Sequence, residues 1–185
     1  TKISICRNPY DLLTSYYFHD SRDGGLDEKS HYVPEYMGYS GPPGWDSINV
    51  MHGIRSFDGF IKRYCDPTFR WYHSLRQKNL FVQMYVYSGE CEVDFIIRQE
   101  RLFEGVKTFL TMAGYCQEKA LDPYKGKINI SKRKKKDYRH YYTDELRELV
   151  AMKCARELND FGYDFDGPID TSAFINPETI SNYQR

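Results

Sequence analysis

The chain has 185 residues, enough for a single domain that buries about 70% of the surface its unfolded form exposes. Hydrophobic residues at 41% exclude a disordered chain, and 26 Lys plus Arg against 26 Asp plus Glu leave no broad positive field, so no nucleic-acid partner is expected. The five cysteines (Cys6, Cys65, Cys91, Cys116 and Cys154) are scattered without CxxC spacing, so neither a metal site nor a disulfide framework is expected and a reducing, cytoplasmic setting is.

In chain order, the first element is a short apolar strand over 2–6. A chain that begins inside a strand reads as N-terminally incomplete. Asn8 is a good helix cap, Pro9 suits the first helical position, and Asp11 brings negative charge to the positive end of the dipole. A helix is therefore predicted over 9–18. Strand, tight turn and capped helix make an α/β unit, in which ligands sit at the carboxyl end of the strand.

Periodicity is lost over 19–52, where Gly24-Gly25, Pro34, Gly41-Pro42-Pro43-Gly44, Trp45 and many Tyr mark a long irregular insertion. Long loops inside a domain tend to be functional, and this Tyr-rich one is expected to be ordered and to face the substrate. Ser56 caps a helix that Asp66-Pro67 ends. Short helices are predicted over 69–87. A core strand follows over 93–98, and then a helix over 100–113 with Phe103, Val106, Leu110 and Ala113 at helical spacing, stopped by Gly114. After a basic loop, one long helix is predicted from the Thr143 cap to Phe161, and residues 163–185 read as an extended tail. The whole of 1–185 reads as one domain. No stretch reaches the roughly 18 apolar residues of a membrane span.

The chemistry gathers at the first turn. A helix N-terminus attracts phosphate, and Arg7, just before the cap, adds a planar fork of donors. Ser15, about two turns on, can reach a ligand lying along the helix. The same residues also suit a purely structural role, with Arg7 paired to Asp11 and Ser15 bonded back to a helix carbonyl.

The segment Cys6-Arg7-Asn8-Pro9-Tyr10-Asp11-Leu12-Leu13-Thr14-Ser15 resembles the 3′-phosphate-binding segment of the sulfotransferases that use 3′-phosphoadenosine 5′-phosphosulfate (PAPS). A second block, ending in Arg98-Gln99-Glu100-Arg101-Leu102, resembles that family's Arg-x-Glu-x-Leu motif. A third, Asn129-Ile130-Ser131-Lys132-Arg133-Lys134 with Asp137-Tyr138-Arg139 and the helix to Phe161, resembles the C-terminal part of microbial and carbohydrate-type members. The resemblance implies a three-layer α/β fold like that of P-loop NTPases, with a mainly parallel sheet. It implies an enzyme that moves a sulfuryl group from PAPS to a hydroxyl of a carbohydrate or small acceptor, without a metal. By the same resemblance Arg7 and Ser15 hold the 3′-phosphate, Lys132 and Arg133 close over it, and Gln99 lies near the adenine. Gln99 stands where related cytosolic enzymes place a Tyr, so an amide edge replaces a stacking ring.

The family's Gly-rich Lys-Ser/Thr phosphate loop has no counterpart in this sequence, and no catalytic base is assigned. By the resemblance His19 and His52 could both face the acceptor cleft, but a lone His is more often a surface residue and neither is assigned. A fragment lacking the loop-bearing strand would be inactive alone and would expose an apolar sheet edge, for which a second copy of the chain is the expected cover. The alternative is a non-catalytic module whose basic run over 132–136 holds nucleic acid or another polyanion.

Overall fold

The computed structural model describes residues 3–20, 56–68, 86–87, 90–91, 94–115 and 135–175. In chain order these form β1 (Ile3–Cys6), α1 (Pro9–Asp20), α2 (Phe57–Cys65), β2 (Val86–Tyr87), β3 (Glu90–Cys91) and β4 (Phe95–Arg98). A 3₁₀ turn (Gln99–Arg101) leads into α3 (Leu102–Met112), and another (Tyr138–Tyr141) precedes α4 (Asp144–Lys153). The chain continues through α5 (Ala155–Phe161), β5 (Tyr163–Asp164), β6 (Gly167–Pro168) and β7 (Phe174–Ile175). The result is a mixed helix-and-strand protein with small sheets. It divides into two compact units, one of Thr1–Asn8, Arg70–Asn129 and Cys154–Arg185, the other of Pro9–Phe69 and Ile130–Lys153.

In the first unit β4 is the central strand of a sheet ordered β1-β4-β7. Its residues Ile96 and Ile97 point to opposite faces, and both are fully buried. β1 pairs with it in parallel, from Ile3↔Phe95 to Cys6↔Arg98, and β7 pairs antiparallel through Ile96↔Ile175 and Ile97↔Phe174. β2 and β3 form a separate antiparallel pair, as do β5 and β6. α3 lies on β4 at a distance that its smallest residue sets. A Cβ at Gly105 would come within 2.3 Å of Ile97 Cγ2, so the close approach requires the missing side chain. Gly105 is the buried residue of α3, whereas Phe103, Val106 and Leu110 of the expected stripe are only half-buried.

The second unit is built on aromatic rings. Ser56 caps α2 by accepting from the Gly59 N–H at 3.0 Å, as its sequence position predicts. α2 buries Phe60, Ile61 and Tyr64, and α4 buries Leu146 and Val150, residues one helical turn apart. Phe57 meets Tyr17 and Tyr142 edge-on, with centroids 5.5 and 5.0 Å apart, and Tyr142 meets Tyr10 edge-on at 5.3 Å. Their polar tips are used as well. Tyr10 donates to the Arg147 carbonyl at 3.1 Å, and Tyr142 donates to the Tyr10 carbonyl at 2.9 Å. Such rings contribute beyond their buried area because edge meets face.

The elements expected at 2–6, 9–18, 56–66, 93–98 and 100–113 are found with end shifts of a few residues. Two expectations are corrected. Val86–Tyr87, at the end of the stretch read as short helices, is a strand paired antiparallel with Glu90–Cys91, a state that a β-branched and an aromatic residue suit. The long helix expected from Thr143 to Phe161 is two, broken at Cys154, where φ −106° and ψ 21° leave the helical region. Neither Gly nor Pro marks that break, and it coincides with the division between the units. Beyond Gly162, the segment read as a tail supplies the β5–β6 hairpin and strand β7. The insertion over 21–52, with Trp45 and His52, lies outside the described residues. No helix among the described residues is long and apolar enough to cross a membrane.

The packing of α3 on β4 gives a direct expectation. Gly105→Ala should lower stability by about 1–3 kcal/mol, because the added methyl must displace Ile97 within a packed core. Urea unfolding checks this, and an unchanged midpoint would show that α3 does not press on the strand.

Candidate functional site

The parallel pair β1–β4 ends in register at Cys6↔Arg98. Arg7 and Gln99 are therefore the next residues on both strands and leave the sheet at the same end. Arg7 is half-buried and Gln99 is exposed. Two of the residues expected near the donor thus come to one sheet end, the position at which α/β proteins bind ligands. Ser15 is a half-buried residue of α1 and belongs to the second unit. Lys132 and Arg133 lie outside the described residues, as does the side chain of His19. Of the basic run, Lys135 and Lys136 are described and both are exposed.

Around this strand end is a set of polar contacts for which the sequence reading assigned no role. Arg98 is 2% exposed, although it carries a permanent charge. Its Nη1 donates to the Asp170 carboxylate and, at 2.9 Å, to the Ser172 carbonyl. Its Nη2 donates to the Phe161 carbonyl at 2.9 Å and to the second Asp170 oxygen at 3.2 Å. The guanidinium also lies 5.6 Å from the Tyr163 ring centroid. Gly162, at φ 63°, passes so close that a Cβ there would meet Nη2 at 2.9 Å. Arg98 is thereby a buried cation held by carbonyls and a carboxylate from the end of α5 and the approach to β7. A buried charge needs such partners.

The second contact set runs through Glu100. Its Oε1 accepts from the Asn8 backbone N–H at 3.2 Å, and its Oε2 accepts from the Tyr163 hydroxyl at 2.8 Å. Since the Tyr163 proton goes to Glu100, the Cys6 thiol, 3.6 Å away, is the donor to the Tyr163 oxygen. Burial pushes the Cys6 thiol up to about 12, and burial likewise raises Tyr163. Both stay protonated at neutral pH, so neither is a nucleophile. The Asn8 side-chain amide donates to the Asp164 carbonyl at 2.8 Å. Three chain segments are thus joined at the end of β1: the turn after it, the 3₁₀ turn after β4, and β5.

Chemically, the arrangement places Arg7 at a strand end between Cys6 and Asn8, which are bonded to Tyr163, Glu100 and Asp164. Among the described residues no group of three His, Cys, Asp or Glu is placed to hold a metal ion. Arg98 had a visible signal, a lone cation closing an apolar strand. Tyr163 and Asp170 had none, since their partners lie 63 and 72 residues away in sequence.

Hydrogen bonding from Arg98 holds the Asp170 carboxyl below the usual carboxylate range, helped by the Ser172 N–H. A lowered folded-state value adds stability that is complete above the ordinary carboxylate pKa of about 3.9 and is lost as pH falls through the lowered value. Asp170 is 59% exposed, so water screens much of this effect. Asp170→Ala should cost about 2 kcal/mol at neutral pH, because Arg98 stays buried without its carboxylate. It should also flatten the acid limb of stability against pH, followed by urea unfolding between pH 7 and 3. Compared with family models, curated proteins and solved structures, the chain matches none of them.

Proposed function

We propose that this chain is a sulfotransferase-type domain that recognises the 3′-phosphate of PAPS at the turn after β1. The observation that carries this reading is the common end of β1 and β4. There Arg7 and the Arg98-Gln99-Glu100 motif, drawn from two sequence blocks 91 residues apart (98 − 7), emerge from adjacent parallel strands. Motifs brought to one sheet end from distant parts of the chain fit a single ligand site better than two unrelated matches.

In this reading Arg7 forms charge-assisted bonds to the phosphate oxygens and Ser15 adds a hydroxyl donor. Lys132 and Arg133 supply further positive charge, since a doubly charged group needs several cations. Gln99 offers an amide to the adenine edge. The three-layer P-loop-like arrangement with a mainly parallel sheet belongs to this proposal. So does the reaction, in which an acceptor hydroxyl oxygen bonds to sulfur as the bond from sulfur to the 5′-phosphate oxygen breaks. The acceptor's proton passes to a base, and adenosine 3′,5′-bisphosphate leaves. The acceptor is a carbohydrate or small hydroxylated molecule. Free Cys6, Cys65 and Cys154 support a reducing, cytoplasmic setting.

Binding is the direct test, because this sequence carries no Gly-rich Lys-Ser/Thr loop for the 5′-phosphosulfate. Adenosine 3′,5′-bisphosphate should raise the melting temperature saturably, and adenosine 5′-monophosphate should not. Arg7→Ala should weaken binding about 10–100-fold, the loss of one or two charge-assisted hydrogen bonds. An unresponsive wild-type protein would overturn the reading. Salt-sensitive binding to RNA and heparin alike that Arg7→Ala spares would instead identify a polyanion module centred on 132–136.

A further inference from the structure

We infer that Glu100 is the positioning residue of the Arg7 turn, an inference that rests on the reading of that turn as a phosphate site. Arg7 sits between two residues whose places are set by contacts to the rest of the first unit. On one side is Cys6, paired with Arg98 in the sheet and donating to Tyr163. On the other is Asn8, whose backbone N–H is accepted by Glu100 Oε1 and whose side-chain amide is accepted by the Asp164 carbonyl. Glu100 reaches both the turn and Tyr163, through one oxygen each. With the chain held on either side, Arg7 has few backbone states to sample. A site that need not be ordered on binding gains affinity.

Glu100 makes these contacts as an acceptor, and the two can be kept without its charge. In Glu100→Gln the remaining oxygen accepts from Asn8, and the new NH₂ donates to the Tyr163 oxygen. The Tyr163 hydroxyl then turns its proton toward Cys6 Sγ, a weak acceptor. Glu100→Ala removes both contacts and leaves the Asn8 N–H without that acceptor. The position therefore tolerates Gln and rejects Ala. A carboxylate beside an anion site is otherwise unfavourable, so its presence at this turn calls for such a geometric reason.

The test uses the full chain and two readouts. The first is amide hydrogen exchange at Asn8 without ligand. It should quicken about tenfold in Glu100→Ala, as expected for the loss of a bond to a charged acceptor, and stay within about threefold of wild type in Glu100→Gln. The second is calorimetric titration with adenosine 3′,5′-bisphosphate. Affinity should fall about tenfold in Glu100→Ala, whereas Glu100→Gln should match or exceed wild type because a negative charge beside the phosphate is gone. Equal exchange at Asn8 in Glu100→Ala and wild type overturns the inference, whatever binds. So does a Glu100→Gln protein that binds as poorly as Glu100→Ala. If the exchange results hold but wild type ignores the bisphosphate, the phosphate reading of the turn fails and Glu100 stands as its tether alone. Should Glu100→Ala fail to fold, Tyr163→Phe replaces it. That variant frees Oε2 only, so a rise in Asn8 exchange smaller than about threefold supports separate tethers, and a complete loss of protection overturns them.

Discussion

A guanidinium placed almost wholly out of water must be surrounded by acceptors, and that demand organises the first unit. Arg98 closes the central strand, and its two terminal nitrogens take carbonyls of Phe161 and Ser172 together with both oxygens of Asp170. Hydrophobic patterning alone would leave β4 undetermined, since Ile96 and Ile97 are buried on opposite faces and a one-residue slip would keep an isoleucine on each. A fixed cation at the strand's end removes that freedom. It ties the strand to the end of α5 and to the approach to β7, so the C-terminal segments are built into the sheet. The net energy of such a pair is modest, because desolvation offsets much of the attraction. Its larger effect is on which arrangement is allowed.

The Glu100 contacts continue the same logic one turn further on. Arg98 faces inward and Glu100 faces the turn, so the residues just beyond the strand divide the work of closing the core and holding the loop. Tyr163 touches both, with its ring near the guanidinium and its hydroxyl on the carboxylate. The result is a half-buried Arg7 presented from a turn whose neighbours are fixed. The proposed donor site draws on this stiffness: a phosphate contact is strong when the cation and its backbone are ordered beforehand.

The second unit is stabilised differently. Rings of α1, α2 and Tyr142 meet edge to face, Tyr141 packs at a tilt on Phe18 and Phe57, and the ion pairs described here lie at the surface. Lys62 bridges Asp58 at 3.4 Å and Glu145 at 3.1 Å with its side chain 44% exposed, an arrangement that contributes little in water. The abundance of Tyr in the composition thus has one concrete use here, as core rings whose hydroxyls satisfy nearby carbonyls.

Local signals carried most of the element assignments. Asn8-Pro9, the Ser56 cap, Gly114 and Gly162 mark ends because capping and left-handed conformations are properties of single residues and their near neighbours. The apolar run ending in Arg98 was legible as a core strand for a similar reason. The break at Cys154 was not legible, since an unbroken helical stripe runs through it and neither Gly nor Pro marks it. Nor was the clasp around the first turn, because Glu100 and Asp164 reach Asn8, Asp170 reaches Arg98 and Tyr163 reaches Glu100 across 63 to 156 positions of the chain. Sequence alone therefore determined where β1, α1, α2, β4, α3 and α4 start, to within a few residues, and which residues could attract a phosphate. Tertiary structure alone decided that Arg98 is a buried structural cation and that the Arg7 turn is held from behind, since burial and partnership are properties of segments that meet only when the chain has folded.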